Sequence, residues 1–175
     1  MNEPAATSLR AATAGDRPAI VDLCKRSLVA TYGGFMDPEK MRPWVEGREV
    51  EAYVDRTWPR MTLAVRGETV VGVVALDGEV IDLVWVRDEL RGQGIGAHLM
   101  DAAERALAAG HDEAELECFA PNVGGLRFYR ARGYREVRRY WEQASGVDKV
   151  VLRKPLARPV TLERVERPAA REGWR

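Results

Sequence analysis

The chain has 175 residues, enough for one compact domain with a real core but few for two. Lys plus Arg and Asp plus Glu both total 27, so the net charge of zero gives no support to a general nucleic-acid binder. Hydrophobic residues make up 46%, yet no apolar run approaches the roughly 20 residues of a membrane span and the N-terminus lacks a secretory pattern, so we expect a cytoplasmic protein with no membrane partner.

The first half of the chain predicts a short strand followed by helices. Residues 8–13 alternate weakly and favour a strand, and 16–31 carry apolar residues at helical spacing. The aromatic-rich segment 37–58 predicts one or two shorter helices, broken near Pro43 and Gly47.

Three apolar, β-branched runs at 61–66, 70–77 and 79–86 predict consecutive strands. Asp77-Gly78 lies between the second and third runs and is a strong signal for a two-residue hairpin. We therefore expect these strands to form an antiparallel meander.

The second half of the chain alternates helices and strands. A helix that Gly110 can close follows a glycine-rich loop, and residues 114–120 predict the next strand. A helix that Asn122 can cap comes after it, and two strands end the pattern. We assign residues 1–155 to one domain and interpret the proline- and charge-rich 156–175 as a flexible or docked tail.

The two cysteines give little chemistry of their own. Cys24 falls on a predicted helix and Cys118 in a predicted strand, and the chain has only two histidines and no Cys-x-x-Cys. A disulfide framework and a structural metal site are therefore not expected. We interpret each thiol as a small buried apolar group, with a catalytic thiol as the alternative.

The loop RGQGIG, residues 91–96, places three glycines at alternate positions directly before a helix. Such a loop leaves a row of unblocked N–H groups at the positive end of the helix, with room for a diphosphate. Gly92, Gly94 and Ala97 also fit the G-x-G-x-x-A fingerprint of dinucleotide-binding folds. A dinucleotide-binding fold needs this loop after the first strand of a parallel series, but here an antiparallel meander precedes the loop and only one βα unit follows it. A further alternative is that the glycines serve only a tight turn.

The chain resembles the GNAT superfamily of N-acetyltransferases, whose hallmark Gln/Arg-x-x-Gly-x-Gly/Ala stands here at residues 91–96. The resemblance implies a GNAT fold: an α/β (α+β) domain with a mixed, mostly antiparallel sheet of six to seven strands and about four flanking helices. Its central parallel pair, about 79–86 and 113–119, is expected to splay. It also implies acetyl-CoA as the acetyl donor and no metal. By position, the cofactor contacts would be Val84, Trp85 and Val86 for the pantetheine arm, and Arg91, Gly92, Gln93, Gly94, Ile95, Gly96 and Ala97 for the pyrophosphate.

The segment that follows the predicted strand 114–120 resembles the second cofactor segment of the same family. It carries Asn122 at a helix start, Tyr129 seven residues on, and Gly133-Tyr134 closing the helix. In relatives the Asn fixes the pantetheine or acetyl end, and the Tyr hydroxyl protonates the departing thiolate. An N-cap without a ligand and a packed aromatic ring are the alternatives for Asn122 and Tyr129.

Direct transfer needs a neutral amine, and two carboxylates are candidates for the general base. Glu117 lies five residues before Asn122, an offset that resembles the catalytic glutamate of ribosomal-protein N-terminal acetyltransferases. Asp82 is a lone acid in an apolar strand, where period-two alternation predicts that it shares a face with Val84 and Val86. A structural or exposed carboxylate is the alternative for each.

The helix and strand at 127–139 carry a local excess of arginine. The residues are Arg127, Arg130, Arg132, Arg135, Arg138 and Arg139. Three interpretations stay open: a solvated basic face, contacts to the phosphates of CoA, and a site for a polyanionic partner.

The resemblance implies an acyltransferase that moves the acetyl group of acetyl-CoA to a primary amine of a small molecule or peptide by direct attack. A non-catalytic acyl-CoA-binding regulatory module and a protein N-terminal or lysine acetyltransferase are the alternatives. The acceptor side is expected from residues 31–60 and the final hairpin, where Tyr32, Trp44 and Trp141 form either a pocket or core. Because many relatives dimerise, the resemblance also favours a homodimer.

Overall fold

Residues 6–157, the part of the chain that the computed structural model describes, form seven strands and five α-helices. The strands are β1 (Thr7–Ala11), β2 (Met61–Arg66), β3 (Thr69–Asp77), β4 (Val80–Val86), β5 (Glu113–Phe119), β6 (Arg135–Glu142) and β7 (Val147–Pro155). The helices are α1 (Arg17–Tyr32), α2 (Pro38–Val45), α3 (Glu49–Thr57), α4 (Ile95–Ala108) and α5 (Val123–Ala131).

All seven strands belong to one sheet, in the spatial order β1-β2-β3-β4-β5-β7-β6. Every neighbouring pair is antiparallel except β4 and β5, which are parallel. Within the described residues these two strands are in register only where Val80 faces Glu115. They diverge toward their C-terminal ends, which confirms the expected splayed parallel pair in a mostly antiparallel sheet.

Helices cover both faces of the sheet. On one face α4 and α5 pack against the sheet around a core that includes Leu99, Met100, Leu116 and Leu152. On the other face α1 and α3 bury Ile20, Leu23, Val50 and Val54 against β2 and β3. This two-faced burial explains why β3 reads as a continuous apolar run, since neither of its sides faces water.

A partly buried polar cluster joins the helices that carry the two motif segments. The Glu104 carboxylate on α4 accepts hydrogen bonds from Arg132 (3.2 Å) and Tyr134 (3.3 Å), just after α5, and from Lys154 on β7 (2.7 Å). Arg132 also pairs with Asp101 at 2.6 Å. Because charge-assisted hydrogen bonds are directional, the cluster fixes the second half of α4 relative to the C-terminal end of α5.

Three details differ from the sequence expectations. The β3–β4 turn consists of Gly78 and Glu79, not Asp77-Gly78, because Gly78 adopts the positive φ of 58° that the turn needs and Asp77 remains paired with Val80. Pro43 lies inside α2 and does not break it, since the helix ends two residues later and loses only one internal hydrogen bond. Of the predicted tail 156–175, residues 158–175 lie outside the described part of the chain.

Gly72 is the point of closest approach between the sheet and α4. A Cβ atom there would lie 2.9 Å from Leu99 Cδ1 and 3.1 Å from the Trp85 carbonyl oxygen. Leu99 is fully buried and Trp85 O is main chain, so neither atom has room to withdraw. The glycine therefore sets how closely the helix of the candidate site lies on the sheet.

We expect Gly72→Ala to lower the free energy of unfolding by about 1 to 3 kcal/mol, the usual cost of overpacking a close-packed site. Chemical denaturation measures the change. Gly110→Ala is the matched control, because a Cβ atom there meets nothing within 4 Å and its φ is not positive. Equal stability of the two variants would contradict this explanation of the helix position.

Candidate active site

A cleft of about 430 Å³ opens where β4 and β5 diverge, between the glycine-rich loop and the start of α5. It brings together all of the predicted cofactor-binding residues except Gln93. It also includes residues that the sequence analysis did not select: Thr31, Leu90, Gly124, Gly125 and Phe128. Their signal in the sequence is weak, except that Gly124-Gly125 directly follows the predicted cap and marks a close approach of backbone.

The loop presents bare backbone to this cleft. Gly92 and Gly94 have φ values of 76° and 82°, a conformation that L side chains rarely adopt. The first hydrogen bond of α4 joins the His98 N–H to the Gly94 carbonyl oxygen at 3.0 Å. The preceding amides of Ile95, Gly96 and Ala97 therefore belong to the unpaired first turn and point toward the positive end of the helix dipole.

A side chain in place of the glycine would narrow the cleft at Gly96 and strain the backbone of the loop at Gly92 and Gly94. A Cβ atom on Gly96 would lie 3.5 Å from Phe128 Cζ and 3.7 Å from Val86 Cγ2, both cleft residues. At Gly92 and Gly94 a Cβ atom would meet nothing within 4 Å, so their requirement is conformational and not steric. The three glycines thus have separate roles, and a tight turn alone does not account for Gly96.

Side chains of the loop anchor it to neighbouring elements. The Arg91 guanidinium donates to Thr31 Oγ1 at 2.7 Å and pairs with Asp88 at 3.2 Å. Arg66 on β2 donates to Gln93 Oε1 at 2.8 Å, which accounts for the absence of Gln93 from the cleft lining. Both contacts hold the backbone of the loop in place.

Asn122 caps α5. Its Oδ1 accepts a hydrogen bond from the Gly125 N–H at 3.0 Å, and a Cβ atom on Gly125 would lie only 2.6 Å from Asn122 Nδ2. Gly125 is thus required for this cap. The cap uses only the side-chain carbonyl oxygen of Asn122, so its amide nitrogen is left to donate to a ligand. Because Asn122 also lines the cleft, the structural and the ligand-binding interpretations are compatible.

Tyr129 lies on α5 beside the cleft, between two other aromatic rings. Its ring centre is 5.3 Å from that of Phe128 and 6.0 Å from that of Tyr134. Burial raises the pKa of its phenol above the ordinary range. Because of this burial the phenol keeps its proton at neutral pH. No described residue forms a hydrogen bond with the hydroxyl, so the protein leaves this donor unused.

A second cavity, of about 270 Å³, lies on the face of the sheet that α1, α2 and α3 cover; we call it the acceptor cavity. Its lining combines an apolar wall with four charged side chains and includes Leu28, Tyr32, Met36, Lys40, Trp44, Tyr53, Asp82, Leu83, Trp85, Phe119, Glu142 and Lys149. Trp85 borders this cavity and the cleft alike, so the two spaces meet at β4.

Asp82 lies in the acceptor cavity, where it accepts a hydrogen bond from the Tyr53 hydroxyl at 2.5 Å. The prediction that it shares a face with Val84 and Val86 is wrong. The register of β3 and β4 shifts at this point and leaves Asp82 without a partner between the paired residues Ile81 and Leu83. This β-bulge reverses the alternation and turns the carboxylate toward α3.

Glu117 borders neither cavity. It accepts two hydrogen bonds from the Tyr140 hydroxyl, at 2.9 and 3.0 Å, and pairs with Lys149 at 3.4 Å. These partners lie on β6 and β7 and account for the carboxylate as part of a surface network. The structure therefore separates the two base candidates, with one inside the acceptor cavity and the other outside it.

Tyr32 bridges the ends of the two diverging strands. Its ring centre lies 5.3 Å from that of Trp85 on β4 and 4.9 Å from that of Phe119 on β5, both edge-on. Tyr32 and Trp44 line the acceptor cavity, as one interpretation of the sequence expected. Trp141 belongs to neither cavity nor core: its side chain is 64% exposed.

Burial raises the pKa of both thiols, to about 12 for Cys24 and about 11 for Cys118. At neutral pH almost no thiolate is present at either position, which disfavours the alternative of a catalytic cysteine.

Most of the arginine-rich segment is paired within the molecule. Arg130 and Arg139 both contact Glu136, Arg138 lies over the Tyr140 ring at 4.9 Å, and Arg132 belongs to the Glu104 cluster. These pairs weaken the segment as a binding site for a polyanion and favour a solvated, internally balanced face.

Residues 6–157 show neither a membrane span nor a metal-binding cluster. None of their helices is long and apolar enough to cross a membrane. They also contain no group of three or more His, Cys, Asp or Glu side chains placed to hold a metal ion.

Solved structures of N-acetyltransferases share this fold. A GCN5-related N-acetyltransferase from Rhodopseudomonas palustris superimposes with a TM-score of 0.73 at 18% identity, over 89% of this chain and 99% of the other. The PaiA N-acetyltransferase of Thermoplasma acidophilum, solved in complex with coenzyme A, gives 0.71 at 18% identity over 86% and 99%. The ribosomal-protein-S18-alanine N-acetyltransferase of Escherichia coli gives 0.64 at 14% identity over 87% and 95%.

The chain belongs to the acetyltransferase (GNAT) family, whose model matches residues 26–134. That range includes the glycine-rich loop, both base candidates and all of α5, so the match covers the whole lining of the cleft and most of the lining of the second cavity. The protein is accordingly an acyltransferase, of a family that uses acetyl-CoA. No curated protein matches the chain.

We expect Gly96→Glu to weaken acetyl-CoA binding at least about tenfold, because the new side chain enters the cleft and its charge opposes a diphosphate at the helix start. Isothermal titration measures the affinity. Ala106→Glu adds the same charge to the exposed side of the same helix and should bind normally. Equal affinities of the two variants would contradict the placement of the pyrophosphate at this loop.

Proposed function

We propose that the protein transfers the acetyl group of acetyl-CoA to a primary amine by direct attack. The observation that carries the proposal is the junction of two cavities at Trp85: a glycine-lined cleft on one side and a cavity with a carboxylate on the other. A donor and an acceptor bound in these two spaces would meet between the ends of β4 and β5, as direct transfer requires.

The cleft fits the pantetheine and diphosphate parts of the donor. The amides at the start of α4 suit the diphosphate, and Gly96 leaves space that any side chain would fill. The edge of β4 that turns away from β5 offers main-chain groups at Val84, Trp85 and Val86 to an extended amide-containing arm. Asn122 Nδ2 is a further donor for the same arm.

When bound, acetyl-CoA supplies an acyl carbonyl that a neutral amine attacks, with a thiol as the leaving group. Asp82 is the base in this proposal, since its carboxylate borders the acceptor cavity and Glu117 does not. Tyr53 orients it through their hydrogen bond, leaving the other carboxylate oxygen to accept a proton from the amine. Glu117 instead positions Lys149 at the rim.

Tyr129 is the proposed acid. Tyr129 lines the cleft and not the acceptor cavity, and burial keeps its phenol protonated. A phenol with a raised pKa is a weaker acid than a free tyrosine, so the hydroxyl acts first as a hydrogen-bond donor to the sulfur and gives up its proton only as the C–S bond breaks and negative charge collects on the sulfur. The proton moves from the hydroxyl to the leaving sulfur, while the amine proton goes to Asp82.

A cytoplasmic location, which is the expectation from composition and hydropathy, and a homodimer, which rests on the resemblance to relatives, also belong to this proposal. Sedimentation of the full chain tests the dimer directly.

Tyr129→Phe should lower kcat by about 10²-fold or more and leave the affinity for acetyl-CoA unchanged, because only the proton donor is lost. The sign of the pKa shift adds a test. A raised pKa means that the wild-type phenol keeps its proton through pH 10, so kcat should not fall between pH 8 and 10 through loss of this proton. Steady-state kinetics measures kcat and its pH dependence, and titration measures the affinity for acetyl-CoA. An unchanged kcat in the variant would show that Tyr129 is not the acid.

Asp82→Asn and Glu117→Gln make the same chemical change at the two candidate bases. We expect the first to lower kcat/KM by about 10²-fold at pH 7, with partial recovery at high pH where the amine is already neutral. The second should stay within about threefold of wild type, because its carboxylate borders no cavity. The reverse order would assign the base to Glu117.

A further inference from the structure

We infer that the acceptor is a small primary amine with one ammonium group on an apolar or aromatic body, and without a carboxylate next to the amine. The inference rests on the proposed function, because it assigns the substrate class of that site. Three features of the acceptor cavity carry it: its wall, its size and the pairing of its charges.

The wall is apolar and comes from four elements. Leu28 belongs to α1, Trp44 to α2, and Leu83 and Phe119 to the two diverging strands. Apolar surface of this kind binds a hydrocarbon or aromatic group by removing it from water. Trp44 is 41% exposed in the free protein, so a bound ring would cover indole surface that otherwise contacts solvent.

The size of the cavity suits a small acceptor group. Its volume of about 270 Å³ is just below the usual range for drug-sized ligands. At about 30 Å³ per water molecule, it holds about nine waters. That space suits a single ring with a short alkyl amine, whereas a peptide would have to leave the cavity after its first residue.

The charges provide for one ammonium group. Within residues 6–157 the Asp82 carboxylate has no cationic partner, since its hydrogen bond comes from the neutral Tyr53 hydroxyl. The other acid in the lining, Glu142, pairs with Lys149 at 3.2 Å and accepts the Ser145 N–H at 3.1 Å. Asp82 is therefore the available counter-ion for the amine.

The remaining charges select against other amines. Lys149 is already paired with Glu142 and Glu117, but Lys40 lines the cavity without an acidic partner among residues 6–157, so a polyamine would bring a second ammonium group close to this cation. An amino acid would place its carboxylate within a few bonds of the ammonium group and hence beside Asp82. A polyamine therefore meets a second positive charge and an amino acid a second negative charge, and a monoamine meets neither.

Acetylation of four acceptors tests the inference. We compare kcat/KM for phenylethylamine, phenylalanine, spermidine and a short peptide with an N-terminal phenylalanine, following thiol release from acetyl-CoA. Phenylethylamine should exceed each of the others at least about tenfold, the effect of one unfavourable charge or one uncovered polar group. A higher value for any of the other three overturns the substrate class.

Binding without chemistry gives a second readout. Titration of the protein with phenylethylamine in the absence of acetyl-CoA should show Trp44→Ala weakened at least about fivefold, with Asp82→Asn weakened at least as much. Trp141→Ala is the matched control, because Trp141 is an exposed tryptophan outside both cavities, and it should bind as wild type does. Equal loss in the two tryptophan variants overturns the assignment of the wall.

Failure of this inference and failure of the proposed function give different results. If acetyl-CoA binds and spermidine, phenylalanine or the peptide is the best acceptor, the substrate class is wrong and the acetyltransferase stands. If acetyl-CoA does not bind to the wild-type chain, both are wrong.

Discussion

The separation of β4 from β5 is the constraint on which the candidate site depends. Each strand is held by an antiparallel neighbour on its far side, and the two are in register with each other at a single pair, Val80 and Glu115. Beyond that pair the facing main-chain groups cannot satisfy one another, and backbone polar groups seldom remain unpaired in an interior. The gap is stable because Tyr32 packs across its end and because the groups along it face a cleft.

The same separation explains why two cavities meet at one residue. Helices cover both faces of the sheet, so a gap between central strands connects a space under α4 and α5 with one under α1 and α2. Trp85 stands on the boundary. In the proposed function, a donor held by backbone amides and an acceptor held by side chains would occupy these two spaces, each of different chemistry. This division is consistent with a common donor and a variable acceptor among proteins of one fold.

Much of this arrangement was predictable from local pattern. The glycine spacing at 91–96, the apolar periodicity of α4 and the Asn122 cap are short-range features, and the structure has each of them where the sequence places it. The pairing of Glu117 was not predictable, because its partners Tyr140 and Lys149 lie 23 and 32 residues away in sequence. The face of Asp82 was predicted wrongly, since alternation assumes a regular strand and the bulge in β4 breaks it.

The sequence by itself determined the class of protein and the backbone features of the glycine-lined cleft. Those depend on backbone conformation, and glycine and asparagine residues at fixed spacing encode backbone conformation locally. The tertiary structure alone decided the acceptor side. Which carboxylate faces the cavity, and which is paired elsewhere, depends on a register shift between two strands and on side chains from β6 and β7. Contacts of that range have no local signature, because they arise only when distant segments pack together.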